Sequence, residues 1–250
     1  MMVQIEITTR CNFDCFYCAG RLMRQGDMAY DLFSAILNSH IARYGIPDTV
    51  SLQGEGEPTL HPDFFRMAEL TRQMGSKPYT ITNGSYKHPE QFIGLFDQIG
   101  VSVDTLDPSI AMQIGRHNLP RVLAFATALA PRIKILIHSV AHQDHTPAIA
   151  AWCQQHGFVH IVQPLQTKAD YSRRYMKQTS VAEPPFPFSC SYLTQPRMRY
   201  YNLDGIEMPC CYIKDASSYE GLDAMFQHQS QGSWAPSCVG CRYSLNPTST

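Results

Sequence analysis

From residue 3 to residue 165 the chain alternates short apolar runs with stretches whose apolar positions recur every three or four residues. The runs "VQIEITT", "TVSLQG", "PYTITNG", "VSVDTLD", "IKILIHSVA" and "FVHIVQPLQ" predict six strands. Between them, "AYDLFSAILNSHIARYG" places Leu32, Ile36, Leu37 and Ile41 at helical spacing, with Gly45 as a stop. "HPDFFRMAELTRQMG", "PEQFIGLFDQIG" and "TPAIAAWCQQHG" predict three more helices, and "PSIAMQIGRHNLPRVLAFATALAPR" predicts helical material broken near Pro120. Strand, helix, strand in this order implies parallel pairing with right-handed crossovers. Six such units suit either an incomplete barrel or an open doubly wound sheet. Both gather their sites at the C-terminal ends of the strands.

The pattern changes after Leu165. Residues 166–189 are polar and then proline-rich ("EPPFPF"), and predict a linker crossing the surface. Within it, "KADYSRRYMK" mixes cations with tyrosines and reads as a solvated loop ahead of a substrate clamp. In residues 190–250, "RMRYYNLDGIEMPC" predicts a hairpin around Asp204-Gly205, and "YEGLDAMFQHQ" a short helix. The division is therefore 1–165, a linker 166–189, and a small cysteine-rich segment 190–250.

Composition narrows the function. The 250 residues carry a net charge of -1, so no bulk attraction to nucleic acid or a membrane surface is expected. No apolar run reaches spanning length, and the N-terminus lacks the pattern of a secretory signal. Nine cysteines without an export signal point to a reducing compartment, and the odd count argues against a complete disulfide framework. Cytoplasmic is the expected location. Nothing in the sequence argues for an oligomer.

The thiols are clustered. Cys11, Cys15 and Cys18, in "CNFDCFYC", follow the first strand with spacing C-x3-C-x2-C. Soft thiolates hold zinc or iron–sulfur clusters. A structural zinc site wants four ligands, whereas a four-iron cluster held by three cysteines keeps one iron open. On this motif, "GEGEP" (54–58), "TNGS" (82–85) and "SVDTLD" (102–107), the chain resembles radical S-adenosylmethionine (SAM) enzymes. The resemblance implies a partial (β/α)6 TIM barrel of α/β class, a [4Fe-4S] cluster on Cys11, Cys15 and Cys18, and SAM on the open iron. It implies reductive cleavage of SAM to a 5′-deoxyadenosyl radical that takes a hydrogen atom from the substrate. By the same resemblance Tyr17 lies near the adenine, Gly56 and Glu57 bind the SAM amino group, and Pro58 shapes the turn. Asn83 approaches the ribose and carboxylate, Asp104 points toward substrate or cofactor, and Arg116 and Ser139 meet the SAM carboxylate or ribose. Glu55 is expected to be exposed beside Glu57.

A second set, Cys190, Cys210, Cys238 and Cys241, resembles the C-terminal Twitch form of the SPASM extension. That resemblance implies a β-hairpin-plus-helix segment holding one auxiliary [4Fe-4S] cluster with four ligands, a layout shared with aminocyclitol dehydrogenases of similar length. An auxiliary cluster without an open iron suits a net oxidation, a dehydrogenation or a cross-link, with Asp104 as a candidate base. Cys211 is either a packed neighbour or a hydrogen donor, as in radical epimerases. Cys153 reads as core, and His142 and His145 as loop histidines near the site end. The substrate is expected to be a small molecule or a peptide; with the first motif cysteine at position 11 no preceding leader-binding domain is expected, which favours a small molecule or a peptide presented by a separate protein. The resemblance also implies a flavodoxin or ferredoxin reductant. A zinc-binding structural module is the distant alternative.

Overall fold

The computed structural model describes residues 2–141, 145–165, 185–195, 198–214 and 216–241. Six parallel strand positions follow one another: β1 (Met2–Ile5), β2 (Thr49–Ser51), a third strand in two pieces, β3 (Lys77–Tyr79) and β4 (Ile81–Thr82), then β5 (Gln98–Ser102), β6 (Lys134–Ala141) and β7 (Val159–Pro164). One sheet runs β3-β2-β1 and the other β4-β5-β6-β7. Thr80 is the joint between them. Its hydroxyl donates to Leu52 O at 3.0 Å, and its own carbonyl accepts from Gly100 N–H at 2.8 Å. The third strand thereby passes from β2 to β5, and the fold is a partial (β/α)6 barrel.

Helices α1 (Tyr30–Tyr44), α2 (Phe64–Gln73), α3 (Pro108–Ile114), α4 (Leu119–Leu129) and α5 (Thr146–His156) cover the outside. Phe33 and Leu37 of α1, Phe64 and Met67 of α2, and Phe125 of α4 share one core with the outward strand residues Val3, Ile5, Ile99 and Ile137. Alternation turns the other strand residues inward, so the barrel lumen is polar. Gln4 donates to Gln53 O at 3.1 Å, and the Tyr79 hydroxyl lies 3.0 Å from His138 Nε2. Cys153 is in the core at 2% exposure. His145 stands just before α5, and His142 lies outside the described residues.

One predicted helix is absent. "PEQFIGLFDQIG" forms only a 3-10 turn, Pro89–Phe92, and β5 already begins at Gln98. Its apolar spacing suits a helix, yet Gly94 takes φ +80°, a left-handed conformation that stops one. Phe92 and Phe96 still reach the core.

The C-terminal segment contains α6 (Ser191–Thr194), the antiparallel hairpin β8 (Met198–Tyr201) and β9 (Glu207–Met208), and α7 (Leu222–Gln231). Strand β8 pairs in parallel with β1, Gln4 opposite Tyr200, so the hairpin extends the barrel sheet at its first strand. Tyr200 is 1% exposed, and the Tyr201 hydroxyl lies 3.1 Å from His40 Nδ1; both tyrosines serve packing. Residues 166–184 of the expected linker, with "KADYSRRYMK", lie outside the described residues. The end of that stretch is not a surface crossing. Phe186 and Phe188 pack on Trp234, and Phe188 N–H donates to Gly232 O at 3.0 Å. Aromatic burial against Trp234 overrides the proline-rich composition there. Among the described residues, no helix is long and apolar enough to cross a membrane.

Candidate active site

The cysteine loop leaves β1 at its C-terminal end and docks on the end of α3. Asp14 N–H donates to Gly115 O at 3.1 Å and Phe16 N–H to Ile114 O at 3.0 Å. Cys11, Cys15 and Cys18 all line one cavity of about 290 Å³, together with Tyr17, Gly56, Glu57, Asn83 and Arg116. Asn83 reaches the thiol group directly: its Nδ2 lies 3.8 Å from Cys11 Sγ and donates to Asn12 Oδ1 at 2.8 Å. Burial, with the charge of Glu55 and then Cys15, pushes the Cys18 thiol up to about 12.

The loop after β2 is built for close approach. A Cβ on Gly56 would sit 2.5 Å from Thr8 O and 2.6 Å from Arg10 O, so only glycine lets this loop lie against the cysteine loop. Glu57 is turned into the protein. Its Oε1 accepts from Thr59 N–H, the Thr59 hydroxyl and the Thr82 hydroxyl, and its Oε2 from Asn83 N–H at 2.6 Å. Burial pushes its carboxyl up against the pull of these donors. Glu57 thus ties the loop after β2 to the loop after β4, and Pro58 opens the short 3-10 turn that Glu57 caps.

Tyr17, Asp104 and Arg116 meet in one buried group. Asp104 Oδ2 accepts from both the Tyr17 hydroxyl and Arg116 Nε, and Arg116 Nε also donates to the Tyr17 hydroxyl at 3.0 Å. Asp104 Oδ1 accepts from Val140 N–H at 2.6 Å. Burial opposes the Arg116 charge, but Asp104 holds it well above its ordinary range. This corrects one expectation. Both Asp104 oxygens are engaged, and its side chain stands behind the cavity wall, so it fits positioning of Tyr17 and Arg116 and not proton abstraction. Ser139 is a second correction. Its hydroxyl donates to Val103 O at 2.5 Å and lies 2.9 Å from His160 Nε2, on the strand face of Ile135 and Ile137; Val140 lines the cavity instead.

Sequence reasoning missed Glu55, Tyr212 and Lys214. Glu55 is not exposed: it pairs with Lys214 at 2.6 Å. Burial opposes its charge, and Lys214 beside it holds the carboxyl below its ordinary value. Lys214, Tyr212 and Cys211 complete the cavity wall from the C-terminal segment. Burial pushes the Cys211 thiol up to about 11. The signal available in the sequence was the spacing "CCYIK" after the hairpin, which carries no charge pattern of its own.

Three cysteines of the second set gather around two tyrosines. Cys190 and Cys238 sit in one small apolar cluster and Cys210 in an adjoining one, with Tyr192 and Tyr219 packed against both. Cys241 N–H donates to Cys238 O at 3.0 Å. Among the described residues, no three side chains of ligand type converge on a single ion. Both sets are soft sulfur donors, and the donor chemistry of Cys11, Cys15 and Cys18, which open on one cavity, fits an iron–sulfur cluster.

A family profile for the radical SAM superfamily matches residues 5–148. This chain belongs to the radical SAM superfamily. Membership implies a [4Fe-4S] cluster and SAM, and the zinc-module alternative gives way to it. Among curated relatives of this radical SAM enzyme is an S-adenosylmethionine-dependent nucleotide dehydratase of Selenomonas ruminantium, 28% identical over 153 residues, 55% of each chain. The chain thus spans about half the length of the curated relatives it first matches. Among solved structures, Streptococcus suis SuiB bound to S-adenosylmethionine superposes with TM-score 0.67 at 15% identity, covering 87% of this chain and 62% of that one. BtrN in complex with AdoMet and 2-DOIA gives TM-score 0.54 at 15% identity, covering 92% and 80%. At this identity the two structures show the fold of this radical SAM enzyme alone.

Proposed function

We propose that this enzyme carries out a net two-electron oxidation of a small molecule or a ribosomal peptide, a dehydrogenation or a cross-link. Cys11, Cys15 and Cys18 hold a [4Fe-4S] cluster, and Cys190, Cys210, Cys238 and Cys241 an auxiliary one. When bound, the first cluster and SAM supply a 5′-deoxyadenosyl radical that takes a substrate hydrogen, and the auxiliary cluster supplies an electron acceptor. The carrying observation is the shared cavity: the three motif cysteines form one wall, and Cys211, Tyr212 and Lys214, directly after Cys210, form another.

The remaining residues hold and orient. Gly56 brings backbone close to the cysteine loop, and Glu57 fixes Asn83 next to Cys11. Tyr17 and Arg116 present a ring and a guanidinium to the cavity, braced from behind by Asp104. A flavodoxin or ferredoxin is the fitting reductant, and the cytoplasm the fitting compartment. Both substrate classes have support in related folds: SuiB has been solved bound to precursor peptide SuiA, and BtrN with 2-DOIA. A second reading rests on Cys211, which lines the cavity and can return a hydrogen atom to a substrate radical, giving epimerisation.

Anaerobic incubation with SAM and dithionite tests the proposal. Formation of 5′-deoxyadenosine that requires Cys11, Cys15 and Cys18 supports it; none from an iron-replete chain refutes it.

A further inference from the structure

The loop after β2 and the C-terminal segment meet in one buried ion pair. Lys214 Nζ lies 2.6 Å from Glu55 Oε1, with side chains 3% and 14% exposed. The other carboxylate oxygen, Oε2, is 3.5 Å from Cys18 Sγ and accepts from Gly20 N–H at 3.2 Å. Glu6, fully buried, accepts from Glu55 N–H at 3.0 Å. One lysine therefore stands among two carboxylates, against the loop that carries the third motif cysteine.

Iron binding changes the charge at this place. A cysteine bound to iron is a thiolate. With Cys18 deprotonated, Glu55 Oε2 faces a second negative group in a site shielded from water, where like charges repel strongly. A cation on the carboxylate offsets that repulsion. Lys214 is that cation, and it comes from the segment that also carries Cys210 and Cys211. Groups around a metal's ligands tune the metal through such contacts.

We infer that Glu55 and Lys214 are a positioning pair that sets the charge around the cluster on Cys11, Cys15 and Cys18, and so its reduction potential, and ties that potential to docking of the C-terminal segment. The inference rests on the assignment of those three cysteines as cluster ligands. Reduction adds one electron to the cluster. Without the Lys214 charge, the surroundings of Cys18 are one unit more negative and the electron is harder to add. Without the Glu55 charge, the surroundings of Cys18 are one unit more positive and the electron is easier to add. The two changes therefore act in opposite directions, which a contact serving only to hold the chain together would not produce.

The experiment is an anaerobic redox titration of the reconstituted full chain, followed by electron paramagnetic resonance. The signal that changes on adding SAM identifies the first cluster. Lys214→Met shifts the reduction equilibrium on the order of tenfold toward the oxidised form, about 59 mV for one electron. Glu55→Gln shifts it the other way, the double variant returns toward the parent value, and Lys214→Arg keeps it. Two single variants that move the potential in the same direction, or not at all, overturn the inference. If Lys214→Met does not fold, Glu55→Gln and the double variant decide it, since the double removes one charge of each sign. Iron analysis separates the two levels: a parent chain whose iron does not depend on Cys11, Cys15 and Cys18 defeats the cluster assignment, whereas retained iron with unmoved potentials defeats this inference alone.

Discussion

Arg116 Nε donates to the Tyr17 hydroxyl at 3.0 Å, which joins the residue before the third motif cysteine to the loop after α3. Both groups also share Asp104 Oδ2, on a side chain that is 0% exposed. Arg116→Met leaves that carboxylate buried without its cation, a change that costs about 3–5 kcal/mol. Denaturant unfolding of the anaerobic protein measures it. A loss below about 1 kcal/mol would show that Asp104 finds another partner.

Gly56→Ala places a Cβ 2.5 Å from Thr8 O, and backbone must move at the cavity wall. SAM affinity is expected to fall by about tenfold or more, roughly 1.4 kcal/mol. Gly94→Ala is the control. Its φ of +80° costs about 1 kcal/mol of stability, but its Cβ meets nothing within 4 Å and SAM binding stays unchanged. Anaerobic calorimetry of SAM binding distinguishes the two.

His138 gives the barrel a pH dependence. Burial, and then the neighbouring His160, lower its pKa to about 4. Between pH 6.5 and about 4 the unfolded chain holds a proton here that the folded chain does not. The contribution is fully present above pH 6.5 and is lost as pH falls through that window, by at most about 3 kcal/mol. His138→Gln is expected to lose less stability than the parent between pH 7 and pH 5. Parallel losses in the two proteins would remove His138 as the cause.

Cys211→Ala separates the two reactions. For a net oxidation, turnover persists and the product formed in deuterated water carries no solvent deuterium. For epimerisation, turnover stops and the parent enzyme incorporates one deuteron from the exchanged thiol.

The barrel was legible because strand alternation and helix periodicity are local signals. Val3 and Ile5 face the helices and Gln4 and Glu6 face the lumen for the same reason that the run "VQIE" alternates. The first cysteine motif was legible because Cys11, Cys15 and Cys18 stand close together in sequence. The Glu55–Lys214 pair was not, because it joins residues from opposite ends of the chain and only the pairing of β8 with β1 brings them together. Asp104 was placed at the right strand end, yet its role turns on Arg116 and Tyr17, and no periodicity reports which side of a cavity wall a carboxylate occupies. Ser139 failed by one residue: on a strand, a shift of one moves a side chain from lumen to helix layer.

The central claim is that two cysteine sets hold two clusters beside one cavity. Counting iron and sulfide per chain, in the anaerobically reconstituted parent and in a variant with Cys190, Cys238 and Cys241 all changed to Ala, tests it most directly. The account predicts about eight of each in the parent and about four in the variant. About four in both, or stoichiometric zinc in the parent, would contradict it.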